Sequence, residues 1–271
     1  MKKRLFILSP HFDDAAFSCG GIASSCSIYF DEIHIINIFS ASPPTGIDLP
    51  PQAKKFHKNF NEFDPVAYRR SLDINAFNLY DINLSYVDQL DAIYRINIES
   101  NAPLYLEPID IFTQIHATDY RLIPLICSKI ISLTRPSLYD LFYVPLSIGG
   151  HVDHEITRLV GEEMAKYQLI YYEDCPYAFN ETIRNPPSFC CQGMDSVEIY
   201  IPPLHVLKKE SAINAYHSTI STESFIQYMK SHDMHSRCIE RVFYCSESLS
   251  NISKQMLFSM PGNLSFRSDM S

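Results

Sequence analysis

Two short stretches carry the side chains best suited to chemistry: Pro10-His-Phe-Asp-Asp14 and Gly149-Gly-His-Val-Asp-His154. A histidine and an aspartate spaced like His11 and Asp14 can reach one ion from a turn or a helix start. Two imidazoles and one carboxylate, with coordination positions left open, make a site that binds Zn²⁺ for hydrolysis. His11 and Asp14 supply two such ligands, His154 is the natural third, and Asp13 remains as a carboxylate free to act as base. Zinc lowers the pKa of a bound water from about 15.7 to about 7, roughly 12 kcal/mol toward hydroxide at neutral pH. A neighbouring carboxylate can then take a proton from that water.

The surroundings of the two stretches are what make them informative. Leu5 to Leu8 is apolar without alternation, as a strand covered on both faces requires, and Pro10 marks its end. Residues 140–144 form a second such run, ending at Pro145. Ligands in open α/β sheets bind just beyond the carboxyl ends of strands, where both motifs then stand. A further histidine pair, His232 and His235, follows no buried strand and reads as a solvated or capping pair.

The rest of the chain supplies a βαβ rhythm. Further strands are expected at 32–39, 84–87, 169–172, 197–201 and 242–244. Helices are expected at 65–80 with Asp64 as N-cap, 120–133, 154–166, 204–216 and 222–230. Four prolines in 41–59 describe a long loop near the site, 88–118 reads as a second loop insertion, 173–193 as loop, and 252–271 as a peripheral tail. The expectation is a single domain over 1–271, a mostly parallel α/β sheet flanked by helices.

Composition narrows the function. Hydrophobic residues at 46% and charged ones at 20% are globular values, and 17 Tyr and 17 Phe with no Trp make the core aromatic. A net charge of −9 argues against nucleic acid, which rewards clustered Lys and Arg. No apolar stretch reaches membrane-spanning length, so a cytoplasmic protein is the default. Eight cysteines without a C-x-x-C pair read as buried thiols, the adjacent Cys190 and Cys191 included.

Together, Pro10-His-Phe-Asp-Asp14 with Cys19-Gly-Gly21 and Gly150-His-Val-Asp-His154 resemble the signature motifs of the PIG-L/LmbE-like family of zinc-dependent N-deacetylases. Weaker echoes are Tyr68-Arg-Arg70, Asp91-Ala-Ile-Tyr94, Tyr172-Glu-Asp174 and Glu240-Arg-Val-Phe-Tyr244. The resemblance implies a Rossmann-like fold, with Zn²⁺ or another divalent metal on His11, Asp14 and His154. It makes Asp13 the general base, His151 the group that stabilises the tetrahedral intermediate or protonates the amine, and Asp153 a candidate to orient His151. The implied substrate is a small-molecule N-acylated amine, sugar-like, with homo-oligomerisation left open.

Arg69 is the choice for a substrate contact, with Arg70 as the alternative, and Asp91, Arg95, Glu173 and Tyr177 are candidates to line the pocket. Three positions depart from the family pattern: Ala15 where Glu is usual after the two aspartates, Leu72 where Glu commonly follows the helical Arg, and Gly149 where some relatives have Tyr. Ala15 and Leu72 motivate a second reading, a small-molecule binding or regulatory protein that keeps the metal pocket. A nucleotide-binding turn at Gly20-Gly21 ranks last, because the sequence is not G-x-G-x-x-G.

Overall fold

The structure, a computed structural model, describes residues 2–60, 64–164, 166–179, 193–217 and 238–245. The first expected strand is β1 (Arg4–Ser9), buried from Leu5 onward. It pairs in parallel on one side with β2 (Glu32–Asn37) and on the other with β4 (Leu141–Pro145). β3 (Asn83–Tyr86) extends the sheet beyond β2, and β5 (Gln168–Tyr172) beyond β4, both in parallel. β7 (Cys238–Tyr244) and β6 (Asp195–Ile201) complete it in antiparallel, giving the order β3-β2-β1-β4-β5-β7-β6 among the described residues. This is the expected mostly parallel α/β fold.

Strand order reverses direction at β1, whose neighbours are β2 and β4, so the crevice at the carboxyl ends opens between β1 and β4. The two motifs follow these two strands. Pairing of Leu5 with Leu141 and Ile7 with Tyr143 brings chain ends that are distant in sequence to adjacent positions. The ladder is braced at its other end by Arg4, whose Nη2 lies 2.6 Å from the buried Asp140 Oδ2.

Helices cover the sheet: α1 (Asp14–Ser25), α2 (Pro51–Lys58), α3 (Pro65–Ala76), α4 (Leu122–Thr134), α5 (Val152–Glu163) and α6 (Pro203–Asn214). Asp64 caps α3 as its sequence predicts, accepting from the Val66 and Ala67 amides. Residues 41–59, expected to be loop throughout, contain α2. Pro51 occupies its first turn, where a missing N–H costs nothing, so one of the prolines taken as a breaker opens a helix. α5 starts earlier than expected because the His151 side chain caps it, its Nδ1 accepting from the Asp153 amide. The expected helix at 222–230, the His232 and His235 pair, Cys190 and Cys191, and 252–271 lie outside the described residues.

α1 is interrupted at Cys19, whose φ of −139° is not helical. The two amides that the break frees, on Gly21 and Ile22, donate to the Glu240 carboxylate of β7, both at 2.8 Å. Lys209 Nζ of α6 approaches the same carboxylate at 2.6 Å. Gly21 has to be glycine here, since a Cβ would stand 2.7 Å from Ile201 Cγ1 and 2.8 Å from Glu240 Oε1. Gly21→Ala is expected to lower unfolding free energy by about 1–3 kcal/mol, the usual cost of overpacking. In a urea titration the midpoint should fall with an unchanged slope.

Candidate metal centre and active site

The loop between β1 and α1 is folded by its own polar groups. Ser9 Oγ donates to the His11 carbonyl at 2.6 Å and accepts from the Ala15 amide, and the His11 amide donates to Asp14 Oδ2 at 2.8 Å. That turn points Asp14 Oδ2 at two imidazoles: His11 Nδ1 is 3.2 Å away and His154 Nε2 is 3.3 Å away. One ligand atom from each of His11, Asp14 and His154 lies within 4.8 Å of the others, and all three residues are buried.

Each imidazole is held from behind by a carboxylate. His154 Nδ1 lies 2.6 Å from Asp174 Oδ1, whose other oxygen accepts from the Ile148 amide. His11 Nε2 lies 3.1 Å from Asp153 Oδ2, which also accepts from the Ala92 amide. A carboxylate on the far ring nitrogen fixes the tautomer and orientation of a metal-binding histidine. In the sequence Asp174 stands only in one of the weaker family echoes, Tyr172-Glu-Asp174. Its signal was the one used for His11 and His154, a polar side chain just past a buried strand, here β5.

The donor set fits a divalent ion. His154 Nε2 is buried without a hydrogen bond among the described residues, a vacancy in bonding that a cation would satisfy. Burial disfavours charge on His154, but Asp14 and Asp174 outweigh it and push the ring up to about 10. His11 is raised in the same way, burial being overcome by Asp91, Asp14 and Asp153. Asp14 is driven the other way: burial opposes its charge, yet His154 and His11 hold it well below the usual carboxylate range.

His151 is different. Burial, then the charge of His11, pushes its pKa well below that of a free imidazole. Its Nδ1 accepts from the Asp153 amide at 3.1 Å, so the neutral ring carries its proton on Nε2. In this resting arrangement the ring is a neutral Nε2–H donor. Asp153, expected to orient His151, directs its carboxylate to His11 and to Arg95 Nη1 at 2.7 Å instead, and meets His151 through its backbone.

A cavity of about 320 Å³ opens beside these groups. His11, Asp13, Asp14 and His151 line it, with Arg69, Asp91 and Tyr177 from the expected contacts and Phe17, Phe56, Ile93 and Ile111 as apolar wall. Asp13 Oδ1 is 3.1 Å from Arg69 Nη2. Arg70 turns away, donating to the Ser40 carbonyl, pairing with Asp88 and stacking on Tyr86. Arg95 does not line the cavity: its guanidinium is buried between Asp119 and Asp153, which fixes it as a support beneath the site. Glu173 is likewise absent from the lining and pairs with Arg241.

The three departures now have local explanations. Ala15 is fully buried in the core and Leu72 packs against it, so neither lines the cavity. Gly149 has φ of +94°, and a Cβ on it would stand 2.9 Å from Tyr177, whose side chain occupies that space.

No family model matches the chain. It is 24% identical over 191 residues to the 2'-N-acetylparomamine deacetylase of Niallia circulans, covering 65% of this chain and 68% of that protein. A deacetylase of teicoplanin biosynthesis in complex with teicoplanin superposes with a TM-score of 0.72 at 23% identity, covering 89% and 97% of the two chains. The chain has the fold of these deacetylases. The zinc-inhibited form of teicoplanin deacetylase Orf2 superposes similarly, with a TM-score of 0.71 at 23% identity and the same coverage. Among the described residues, no helix is long and apolar enough to cross a membrane.

Two outcomes follow for metal binding. Asp174→Asn should weaken affinity by about 10- to 100-fold, the usual effect of removing a carboxylate behind a ligand histidine, measured by competition with a chelating dye. Because neighbouring carboxylates raise His11 and push His154 up to about 10, an ion would displace ring protons, and affinity should fall as pH drops below about 10, by up to about 100-fold per unit where both rings are charged. Proton release into a weakly buffered solution checks this, and a pH-independent affinity would contradict it.

Proposed function

We propose that this chain is a metal-dependent N-deacetylase of the PIG-L/LmbE-like type, removing an acetyl or similar acyl group from a sugar-like amine. The observation that carries the reading is the convergence of His11, Asp14 and His154 within 4.8 Å, with His11 and Asp14 in the wall of the cavity that Asp13 also lines. The sequence relative acting on an N-acetylated paromamine supports the substrate class. A divalent ion held by His11, Asp14 and His154 would polarise an acyl oxygen and acidify water.

The chain's own groups do the rest. Asp13, held by Arg69, takes a proton from the attacking water as its oxygen adds to the acyl carbon. The same proton passes to the nitrogen as the C–N bond breaks, so the products are an amine and a carboxylate. The Nε2–H of His151 donates to the carbonyl oxygen as it gains charge, which a neutral ring can do. Phe56, Ile93, Ile111 and Tyr177 offer apolar faces to a sugar ring, while Arg69 and Asp91 meet its hydroxyls or a second amine. A cavity of about 320 Å³ suits one sugar unit of a larger molecule better than the whole of it.

The test is acetate release from a panel of N-acetyl amino sugars, with the protein loaded in turn with zinc, cobalt, nickel and manganese. Wild type should release acetate and His154→Ala should lose both metal and turnover. Asp13→Asn should keep its metal and lose about 10²- to 10⁴-fold in kcat, the span of general acid–base catalysis. Ligand-induced thermal shifts without acetate from any substrate would favour a binding protein instead.

A further inference from the structure

Behind the loop that carries Asp13 lies a buried carboxyl that the proposed reaction does not use. Asp73 of α3 is fully buried and receives groups from three other elements. Its Oδ2 accepts from Tyr86 Oη of β3 at 2.9 Å and from Asn37 Nδ2 of β2 at 3.0 Å. Its Oδ1 is 3.0 Å from Tyr216 Oη, just beyond α6. The same phenol oxygen is 2.8 Å from the carbonyl oxygen of Phe12, the residue between His11 and Asp13.

Counting protons decides what this cluster is. A phenol has one proton to donate. If Asp73 were ionised, Tyr216 would have to choose between its carboxylate and the Phe12 carbonyl, and one buried acceptor would lose its donor. If Asp73 is neutral, its proton sits on Oδ1 and goes to Tyr216 Oη, Tyr216 donates to Phe12, and Oδ2 keeps Tyr86 and Asn37. Only the neutral acid gives each of these contacts a proton, and a buried polar group left without one is costly.

The surroundings agree. From β3 the titratable group facing Asp73 is Tyr86, from beyond α6 it is Tyr216, and from the β1–α1 loop it is Asp13; β2 contributes the uncharged Asn37. On its own helix, Arg69 is turned to Asp13 and Arg70 is stacked over Tyr86, so no cation makes an ion pair with Asp73 among the described contacts. Burial is the largest influence on this carboxyl and raises it to about 7.

We propose that Asp73 is held as a neutral carboxylic acid and acts, through Tyr216, as the positioning residue that fixes the Phe12–Asp13 peptide beside the cavity. Ionisation of Asp73 draws the Tyr216 proton away from Phe12 and loosens the segment joining a ligand to the base. The positioning role rests on the deacetylase reading; the proton assignment does not.

In protein labelled with ¹³C at aspartate carboxyls, one resonance absent from Asp73→Asn should be in its neutral form at about pH 5.5 and titrate near 7. A midpoint in the ordinary range, about 4, would overturn the proposal. Tyr216→Phe removes the donor and should shift the Asp13 resonance and lower kcat by about ten- to 100-fold, with metal content and KM retained. An unmoved Asp13 resonance with wild-type kcat would refute the positioning role.

Wild type should also lose rate several-fold across Asp73 ionisation, while Asp73→Asn, whose amide donates to Tyr216 as the neutral acid does, should lack that step. An identical step in both would contradict the proposal. If no acetate is released by any variant yet the resonance titrates near 7 and Tyr216→Phe moves Asp13, the proposed function fails and this assignment survives.

Discussion

The parallel pairing of β1 with β4 is the constraint on which the remaining structure depends. Neither motif could hold an ion alone, because each offers at most part of a ligand set. The register that sets Leu5 against Leu141 makes both strands end at one level, and the chain leaves them toward opposite faces, opening a crevice. Parallel strands demand long crossovers, so residues far apart in sequence become neighbours here by topology. The apolar continuity of both strands therefore serves the site as directly as the histidines do.

Electrostatics organises what the crevice contains. Five buried ionisable groups, His11, Asp14, Asp153, His154 and Asp174, alternate imidazole and carboxylate along a chain of contacts of 2.6–3.3 Å. Burial penalises charge on each, and the opposite charge of a neighbour offsets that penalty. A divalent ion held by His11, Asp14 and His154 would take the place of protons on the two rings. Asp13 stands outside the chain, tied to Arg69 at the cavity, which keeps a carboxylate available for proton transfer. Behind it, the Asp73 cluster joins α3, β2, β3 and the residue just beyond α6 to the same loop, the one that carries the base in the proposed reaction.

Much of this was legible in the sequence, and the failures have physical causes. Buried parallel strands announce themselves by unbroken apolar runs, so β1, β4 and β5 and the residues just past them could be located, and with them the metal-facing group. What one-dimensional reading could not supply was the direction of side chains after a turn. The resemblance makes Asp153 a candidate to orient His151, yet the helix start carries its carboxylate to His11. Arg95 looked like a loop arginine free to meet substrate, but two buried aspartates distant in sequence claim it. Arg69 and Arg70 were indistinguishable until α3 set one toward the cavity and the other toward Asp88. Asp73 and Tyr216 left no signal, since an aspartate in a helix and a tyrosine after one are ordinary until the fold buries them together. The prolines of 41–59 misled for a related reason: a proline at the first turn of a helix looks in sequence like one in a loop.

The central claim is that His11, Asp14 and His154 grip a single cation. X-ray absorption at the metal edge, paired with anomalous diffraction from metal-loaded crystals, measures this directly. The account predicts one ion between the ends of β1 and β4, bonded to two imidazole nitrogens and one carboxylate oxygen at about 2.0–2.2 Å. An ion seated elsewhere, or one that leaves either His11 or His154 unbonded, would contradict it.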